Sequence, residues 1–188
     1  MRLFTAILLP PEILLRLERL LSALRPEALI KWSPLDNLHI TTKFIGSWPE
    51  NRVDELDAAL LAIPPRDAFE LHIHDLGWFP DDNFPRVLWA GVQGCPALLD
   101  LVKETEARLE AIGIAKEDRP FAPHLTLARI KNPVPLDHLR EKVEELRPAD
   151  LGTFQVRCFS LFRSDPGSNA STYRNLREYR FESALAAT

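Results

Sequence analysis

The sequence predicts a pseudo-duplicated α/β fold of the α+β kind, with one lobe around each of two short motifs. Three observations lead there. The pattern His-x-Thr-x occurs twice, as His39-Ile40-Thr41-Thr42 and His124-Leu125-Thr126-Leu127, and each copy sits in a short apolar run of strand character. Each copy is preceded by the same order of elements: strand, amphipathic helix, polar link. Finally, 188 residues with 46% hydrophobic and 27% charged side chains, and no long Pro/Gly/Ser-rich linker or low-complexity tract, suit a single bilobal domain over 1–188. The likeness between halves is one of elements, since outside the motifs no aligned identity is visible.

Residues 3–9 read as a strand that runs into Pro10-Pro11. A helix follows, in which Ile13, Leu14, Leu17, Leu20, Leu21 and Leu24 share one face and proline occupies the first turn. The turn-prone Ser33-Pro34-Leu35-Asp36-Asn37 leads into the first motif strand, 38–45, closed by Gly46. A second helix is expected over 49–61. Two strands, 69–76 and 86–92, are joined by a loop containing Pro80-Asp81-Asp82-Asn83-Phe84-Pro85. A third helix, 96–112, turns Leu98, Leu101, Val102, Thr105, Leu109 and Ile112 inward, and Gly113 breaks it. The polar link Arg119-Pro120-Phe121-Ala122-Pro123 then enters the second motif strand, 125–130. A helix over 136–146 and two strands, 154–163 and 174–182, complete the sheets.

A formal net charge of −4 argues against a cationic surface that grips duplexes non-specifically. Any nucleic-acid contact rests on a local basic patch, and a small RNA end fits better than a long helix. Arg157, Arg163, Arg174, Arg177 and Arg180, set against Asp165 and Glu178, form one such excess; they either guide an RNA backbone or simply alternate on an exposed strand. The apolar start is too short for a secretory leader, Pro10-Pro11-Glu12 stands where a cleavage site belongs, and no stretch approaches bilayer length. Cys95 and Cys158 have neither metal-ligand spacing nor a disulfide framework, so reduced thiols in a cytoplasmic monomer, away from membranes, are expected.

The chemistry follows from strand parity. Side chains alternate faces, so a histidine and the threonine two residues on point the same way, about 6.6 Å apart along the strand. Two such strands facing each other would bring two imidazoles and two hydroxyls to one small anion. Cleaving a phosphodiester requires a base, an acid and donors for the phosphoryl oxygens. Histidine serves either proton-transfer role near neutral pH, and threonine hydroxyls with a nearby Lys or Arg supply the donors. A lone His-x-Thr carries almost no information; two copies in matching positions do.

Parity also places Lys43 on the face of His39 and Thr41, and Ala128 on the face of His124 and Thr126, with Arg129 at the strand end. Lys43 is either a cleft cation or a solvated strand-end lysine. Arg129 either steadies a phosphate or pairs with a carboxylate, and Phe121 either stacks on a base or belongs to the core. His72 and His74 could share an ion as alternate strand residues, but no further ligands stand at a recognisable spacing, so no metal site is expected. His138 reads as a surface residue, and Asp81-Asp82 as solvated turn residues.

These segments resemble the bacterial and archaeal 2′,5′ RNA ligase-like family of RNA 2′,3′-cyclic phosphodiesterases, within the 2H phosphoesterases. Pro34-Leu35-Asp36-Asn37-Leu38-His39-Ile40-Thr41-Thr42-Lys43-Phe44-Ile45-Gly46 is similar to the family's first motif, and Arg119-Pro120-Phe121-Ala122-Pro123-His124-Leu125-Thr126-Leu127-Ala128-Arg129 to its second. Phe79 with Pro85-Arg86-Val87-Leu88-Trp89-Ala90-Gly91-Val92, and Phe159-Ser160-Leu161-Phe162-Arg163-Ser164 with Pro166-Gly167 and Tyr173, resemble segments between and after them. Thr42 departs from the apolar residue usual there, and the loop 167–172 is longer and more polar than the pattern.

The resemblance implies two lobes of antiparallel sheet around a cleft holding both motifs. It implies hydrolysis of 2′,3′-cyclic phosphate RNA ends to 2′-phosphomonoesters without cofactor or metal, and the reverse 2′,5′ ligation. His39 and His124 would be acid and base in either order. Thr41 and Thr126 would bind the phosphate, aided by Lys43 and Arg129, with Phe121 and Tyr173 near the substrate. Two other readings stand beside it: a related enzyme for a small cyclic nucleotide, an ADP-ribose cyclic phosphate or a 2′,5′-oligoadenylate, and a non-catalytic RNA-end binder.

Overall fold

The computed structural model describes residues 1–167 and 170–181. Strands β1 (Arg2–Leu8), β2 (Lys31–Trp32), β3 (His39–Ser47), β4 (Phe69–Phe79), β5 (Val87–Gln93), β6 (His124–Arg129), β7 (Asp150–Val156), β8 (Cys158–Asp165) and β9 (Thr172–Arg180) alternate with helices α1 (Pro11–Leu24), α2 (Val53–Leu61), α3 (Pro96–Glu110) and α4 (Asp137–Leu146). The strands form two wholly antiparallel sheets, ordered β3-β1-β8-β9 and β2-β6-β5-β4-β7. One motif strand lies in each sheet, and β3 and β6 come into contact. Among the described residues no helix is long and apolar enough to cross a membrane.

The lobes are not the two halves of the chain. Each sheet draws strands from both halves, and the helices cross over between them: α1, leaving β1 of the first sheet, packs on β7 of the second, while α3, leaving β5 of the second, packs on β3 of the first. A sheet face must be covered by something apolar, and α1 supplies Ile13, Leu17, Leu20, Leu21 and Leu24, all buried. The result is one continuous apolar core running through both sheets. The lobes are therefore tied together by burial as well as by sequence.

The predicted strand over 154–163 is in fact two. The chain leaves the second sheet at Val156, turns at Arg157, and enters the first sheet at Cys158; β7 pairs with β4, β8 with β1. Apolar character continues through the crossing because both strands turn side chains into the same core, so hydropathy does not mark the break. The segment 50–52 is a 3₁₀ turn ahead of α2 rather than its first turn. The last predicted strand is β9; its expected final residue, Glu182, lies outside the described residues.

Both motif strands carry an extra residue directly after the threonine. Against β1, Ala6 faces Thr41 but Thr5 faces Lys43, so Thr42 is unpaired in the register. Against β5, Trp89 faces Thr126 but Leu88 faces Ala128, so Leu127 is the extra residue. A bulge of one residue resets alternation. Neighbours stabilise each bulge: Thr42 Oγ1 lies 2.7 Å from Thr5 Oγ1, and Ser33 satisfies the β6 carbonyls, its Oγ donating to Thr126 at 2.7 Å and its N–H to Leu127 at 2.8 Å.

The bulge corrects the parity expected for Lys43. Instead of sharing the face of His39 and Thr41, Lys43 turns inward, 2% exposed, and its Nζ donates to Glu106 Oε1 at 3.0 Å and to the Ala115 carbonyl at 2.8 Å. It fastens the motif strand to α3 and the segment after it. Removing one partner of a buried ion pair leaves the other uncompensated, which costs about 3–5 kcal/mol when both are buried. Glu106 keeps some access to water, so Lys43→Met should lower unfolding free energy by about 3 kcal/mol, read as a lower urea midpoint; an unchanged midpoint would contradict the structural role.

Candidate active site

β3 and β6 bring His39, Thr41, His124 and Thr126 to the lining of a single cleft of about 620 Å³. The two histidines are set identically. His39 Nδ1 lies 2.7 Å from the Asn37 carbonyl, and His124 Nδ1 lies 2.7 Å from the Ala122 carbonyl, each two residues upstream. A carbonyl oxygen only accepts, so each Nδ1 carries a hydrogen and each Nε2 is the atom left to exchange protons. The tautomers are thus fixed by the backbone, in duplicate.

Aromatic rings hold both imidazoles in place. His39 packs against Phe4, centroids 4.9 Å apart, and edge-on against Tyr173 at 5.2 Å. His124 meets Phe79 edge-on at 5.0 Å, and Phe79 leans on Trp89 at 5.4 Å. The indole of Trp89 lies across the neighbouring strand, where Gly77 has no Cβ to obstruct it: a Cβ there would stand 2.1 Å from the ring. On the other side, Asn37 Nδ2 donates to the Ser171 carbonyl at 2.8 Å, tying the segment before Tyr173 to the residue whose carbonyl orients His39.

Electrostatics push both histidines toward the neutral form. Burial is the largest cause of the lowered pKa of His39; its bond to Asn37 opposes this, and the charges of His124 and Arg129 lower it further. His124 is lowered first by burial and also by Arg129, against the bond to Ala122. No carboxylate lines the cleft among the described residues, whereas Arg2, Lys31, Arg129 and Lys131 do. An anion entering here meets cations alone, and its own charge would draw protons onto the imidazoles.

The remaining predicted positions divide. Arg129 lines the cleft, because the bulge at Leu127 turns Ala128 into the core and Arg129 toward the opening. Tyr173 lines it as well. Lys43 does not, being paired with Glu106, and Phe121 packs against the core. Phe44, assigned by plain alternation to the opposite face, lies at the cleft and is 61% exposed. His72 pairs with Asp150 at 2.9 Å, and among the described residues no cluster of three or more His, Cys, Asp or Glu is placed to hold a metal ion. Of the five arginines between 157 and 180, Arg163 is held by Asp165 and Glu50, Arg177 by Asp57 and Arg180 by Glu178, and none of the five lines the cleft. Part of the loop 167–172 lies outside the described residues.

Sequence reasoning missed the orienting carbonyls of Asn37 and Ala122 and the rings of Phe4 and Phe79. The carbonyls had a readable signal, since each stands two residues before a motif histidine; Phe79 stood in a segment that resembles the family but was given no role, and Phe4, on a distant strand, had no signal.

Two antiparallel sheets that each lend one His-x-Thr strand to a common cleft define a pseudo-symmetric phosphoesterase class. The chain belongs to the 2′-5′ RNA ligase superfamily, whose model matches residues 9–167. It is 31% identical to a protein of Methanocaldococcus jannaschii named RNA 2′,3′-cyclic phosphodiesterase, over 95% of this chain and all of that one. A Thermus thermophilus protein of the same name is 30% identical, with 95% and 89% covered. Among solved structures, one of a protein from Thermus thermophilus superposes with a TM-score of 0.83 at 29% identity, covering 98% of this chain and all of that one. E. coli LigT complexed with 3′-AMP gives 0.76 at 25% identity, covering 96% and 97%.

In the free protein both imidazoles should titrate below the ordinary histidine value near 6.5. Arg129→Gln removes a positive charge acting on both and should move both titrations upward, as followed by NMR of the ring protons. Movement of only one resonance would mean that Arg129 does not face the pair.

Proposed function

We propose that this chain is an RNA 2′,3′-cyclic phosphodiesterase that opens the cyclic phosphate at an RNA end and leaves the phosphate on the 2′ oxygen. The observation that carries the reading is the duplicated set of His and Thr in one cleft, with both Nε2 atoms freed by equivalent backbone bonds. The curated relatives bearing that activity as their name support it.

The reaction balances with these groups alone. A neutral imidazole takes a proton from water through Nε2 as the water oxygen bonds to phosphorus. The bond from phosphorus to the 3′ oxygen breaks, and the second imidazole, protonated, gives its Nε2 proton to that oxygen. Thr41 and Thr126 donate to the non-bridging oxygens, and the guanidinium of Arg129 offsets the charge that grows there. With the 5′ hydroxyl of a second RNA in place of water, the same step, one imidazole taking that hydroxyl's proton and the other protonating the departing 3′ oxygen, forms a 2′,5′ linkage, which is the route to ligation. The exposed faces of Tyr173 and Phe44 flank the first motif and offer a surface for the terminal base. The two histidines and two threonines come from one chain, so the reading is of a monomer. Its compartment would be the cytoplasm, where Cys95 and Cys158, free of disulfides, stay reduced.

His39→Ala and His124→Ala should each lower kcat/KM on a cyclic-phosphate-ended oligonucleotide by about 100- to 10,000-fold. Because the two act as one unit, the double variant should be little worse than either single one. Near-parental turnover in a single variant, with the fold intact by circular dichroism, would remove that histidine from the mechanism.

The pH profile of kcat/KM should be bell-shaped, since activity needs one imidazole protonated and one neutral. That profile reports the free enzyme. Both groups are lowered there, so the two limbs and the optimum should lie on the acid side of about 6.5, and they belong to the coupled pair rather than to one residue. A rate that climbs steadily into alkaline solution would show that an acid is not needed.

A further inference from the structure

The cleft continues past the two imidazoles. At the outer end of β6 it meets a smaller cavity of about 180 Å³ that shares Lys31, Arg129 and Lys131 with it and adds Leu29, Ile30, Asn132 and Val134. Lys31 of β2 stands directly opposite Arg129 of β6 in the register. Like charges so placed repel, and among the described residues no carboxylate pairs with Lys31, Arg129 or Lys131. Lys43, Lys116 and Lys142, by contrast, each hold a carboxylate within 3.0 Å. An anion between the strands would relieve the repulsion.

The floor has a different chemistry. Ile30 and Val134 are half-buried and form it, and Leu29, 98% exposed, stands at its edge. An apolar floor open to water and rimmed by cations matches a nucleotide, which has an apolar face and an anionic phosphate. The base must be unpaired to lie there, which selects a single strand over a duplex. Arg129 borders both cavities, but Leu29, Ile30 and Val134 line only the smaller one, so a base seated on them lies beyond a nucleotide held at the imidazoles.

We propose that the groove formed by Lys31, Lys131, Leu29, Ile30 and Val134 binds the single-stranded RNA just upstream of the terminal nucleotide, the lysines holding its phosphates and the apolar floor receiving a base. This rests on the reading of the cleft as a cyclic-phosphate site and extends it to substrate length: the preferred substrate is an oligonucleotide, and its body leaves along β2 and β6 rather than over the arginines of β8 and β9.

The test compares kcat/KM for a cyclic-phosphate-ended trinucleotide with that for a nucleoside 2′,3′-cyclic phosphate, using the full chain and its Lys31→Ala/Lys131→Ala variant. The parent should prefer the trinucleotide, and the preference should fall about tenfold in the variant. For the trinucleotide, the slope of log affinity against log salt should flatten by about 1.4, at about 0.7 per cation on a single strand. Lys31→Arg/Lys131→Arg should restore both. A parent with no preference for length, or a variant that keeps the whole preference, overturns the proposal, as does equal use of a blunt duplex bearing the same cyclic end.

Binding of a 3′-phosphate-ended trinucleotide is measured in parallel by fluorescence. If the parent hydrolyses neither substrate, the phosphodiesterase reading fails, and the groove is still judged: weaker binding by the alanine variant supports it, and unchanged binding overturns it.

Discussion

Each motif histidine donates its Nδ1 hydrogen to the carbonyl two residues before it, and the capability of the cleft depends on that bond. Without it either ring nitrogen could carry the proton and either could face the opening. With it, Nε2 is the exchangeable atom in both copies. The bond exists because the segment ahead of each motif strand bends back on entry to the sheet: a short 3₁₀ turn over 35–37 in one case, the Phe121-Ala122-Pro123 link in the other. Rings from other strands then press on the imidazoles, Phe4 and Tyr173 on one and Phe79 on the other. Orientation is thus fixed locally and the position along the cleft by packing.

The pseudo-twofold relation breaks where the bulges end. The residue five places after each histidine turns to the cleft; it is Phe44 in the first copy and Arg129 in the second. The residue before it turns inward, and is Lys43 in the first and Ala128 in the second. At this position the first lobe presents an aromatic ring, and the second a positive charge with the smaller groove behind it. Identical motifs thus sit in an asymmetric cleft.

Burial and the surrounding cations keep both imidazoles short of protons when the cleft is empty. A phosphate anion reverses the balance by supplying the negative charge that the lining lacks. Proton affinity and anion affinity are then linked, each raising the other. A chain with net charge −4 attracts an anion here because, among the described residues, cations and no carboxylate line the cleft.

Most strands, the helices and the motif pair could be read from the sequence because each is written in local periodicity: two for the strands, three to four for the helices, and a histidine-to-threonine spacing of two that survives in the structure; the two-residue β2 is too short to show a period and was not expected. The side chains beyond Thr41 and Thr126 could not be read in this way. Their direction depends on bulges held open by Thr5 and Ser33, residues 37 and 93 positions away in the chain. Plain alternation therefore put Lys43 at the cleft and Phe44 away from it, the reverse of what the fold does. The break at Arg157 was hidden for a related reason, since strands of two different sheets share one core and show one hydropathy. Local pattern by itself determined which residues could do the chemistry. Tertiary pairing decided which of them face the cleft, because only a partner strand can absorb an extra residue and reset the alternation.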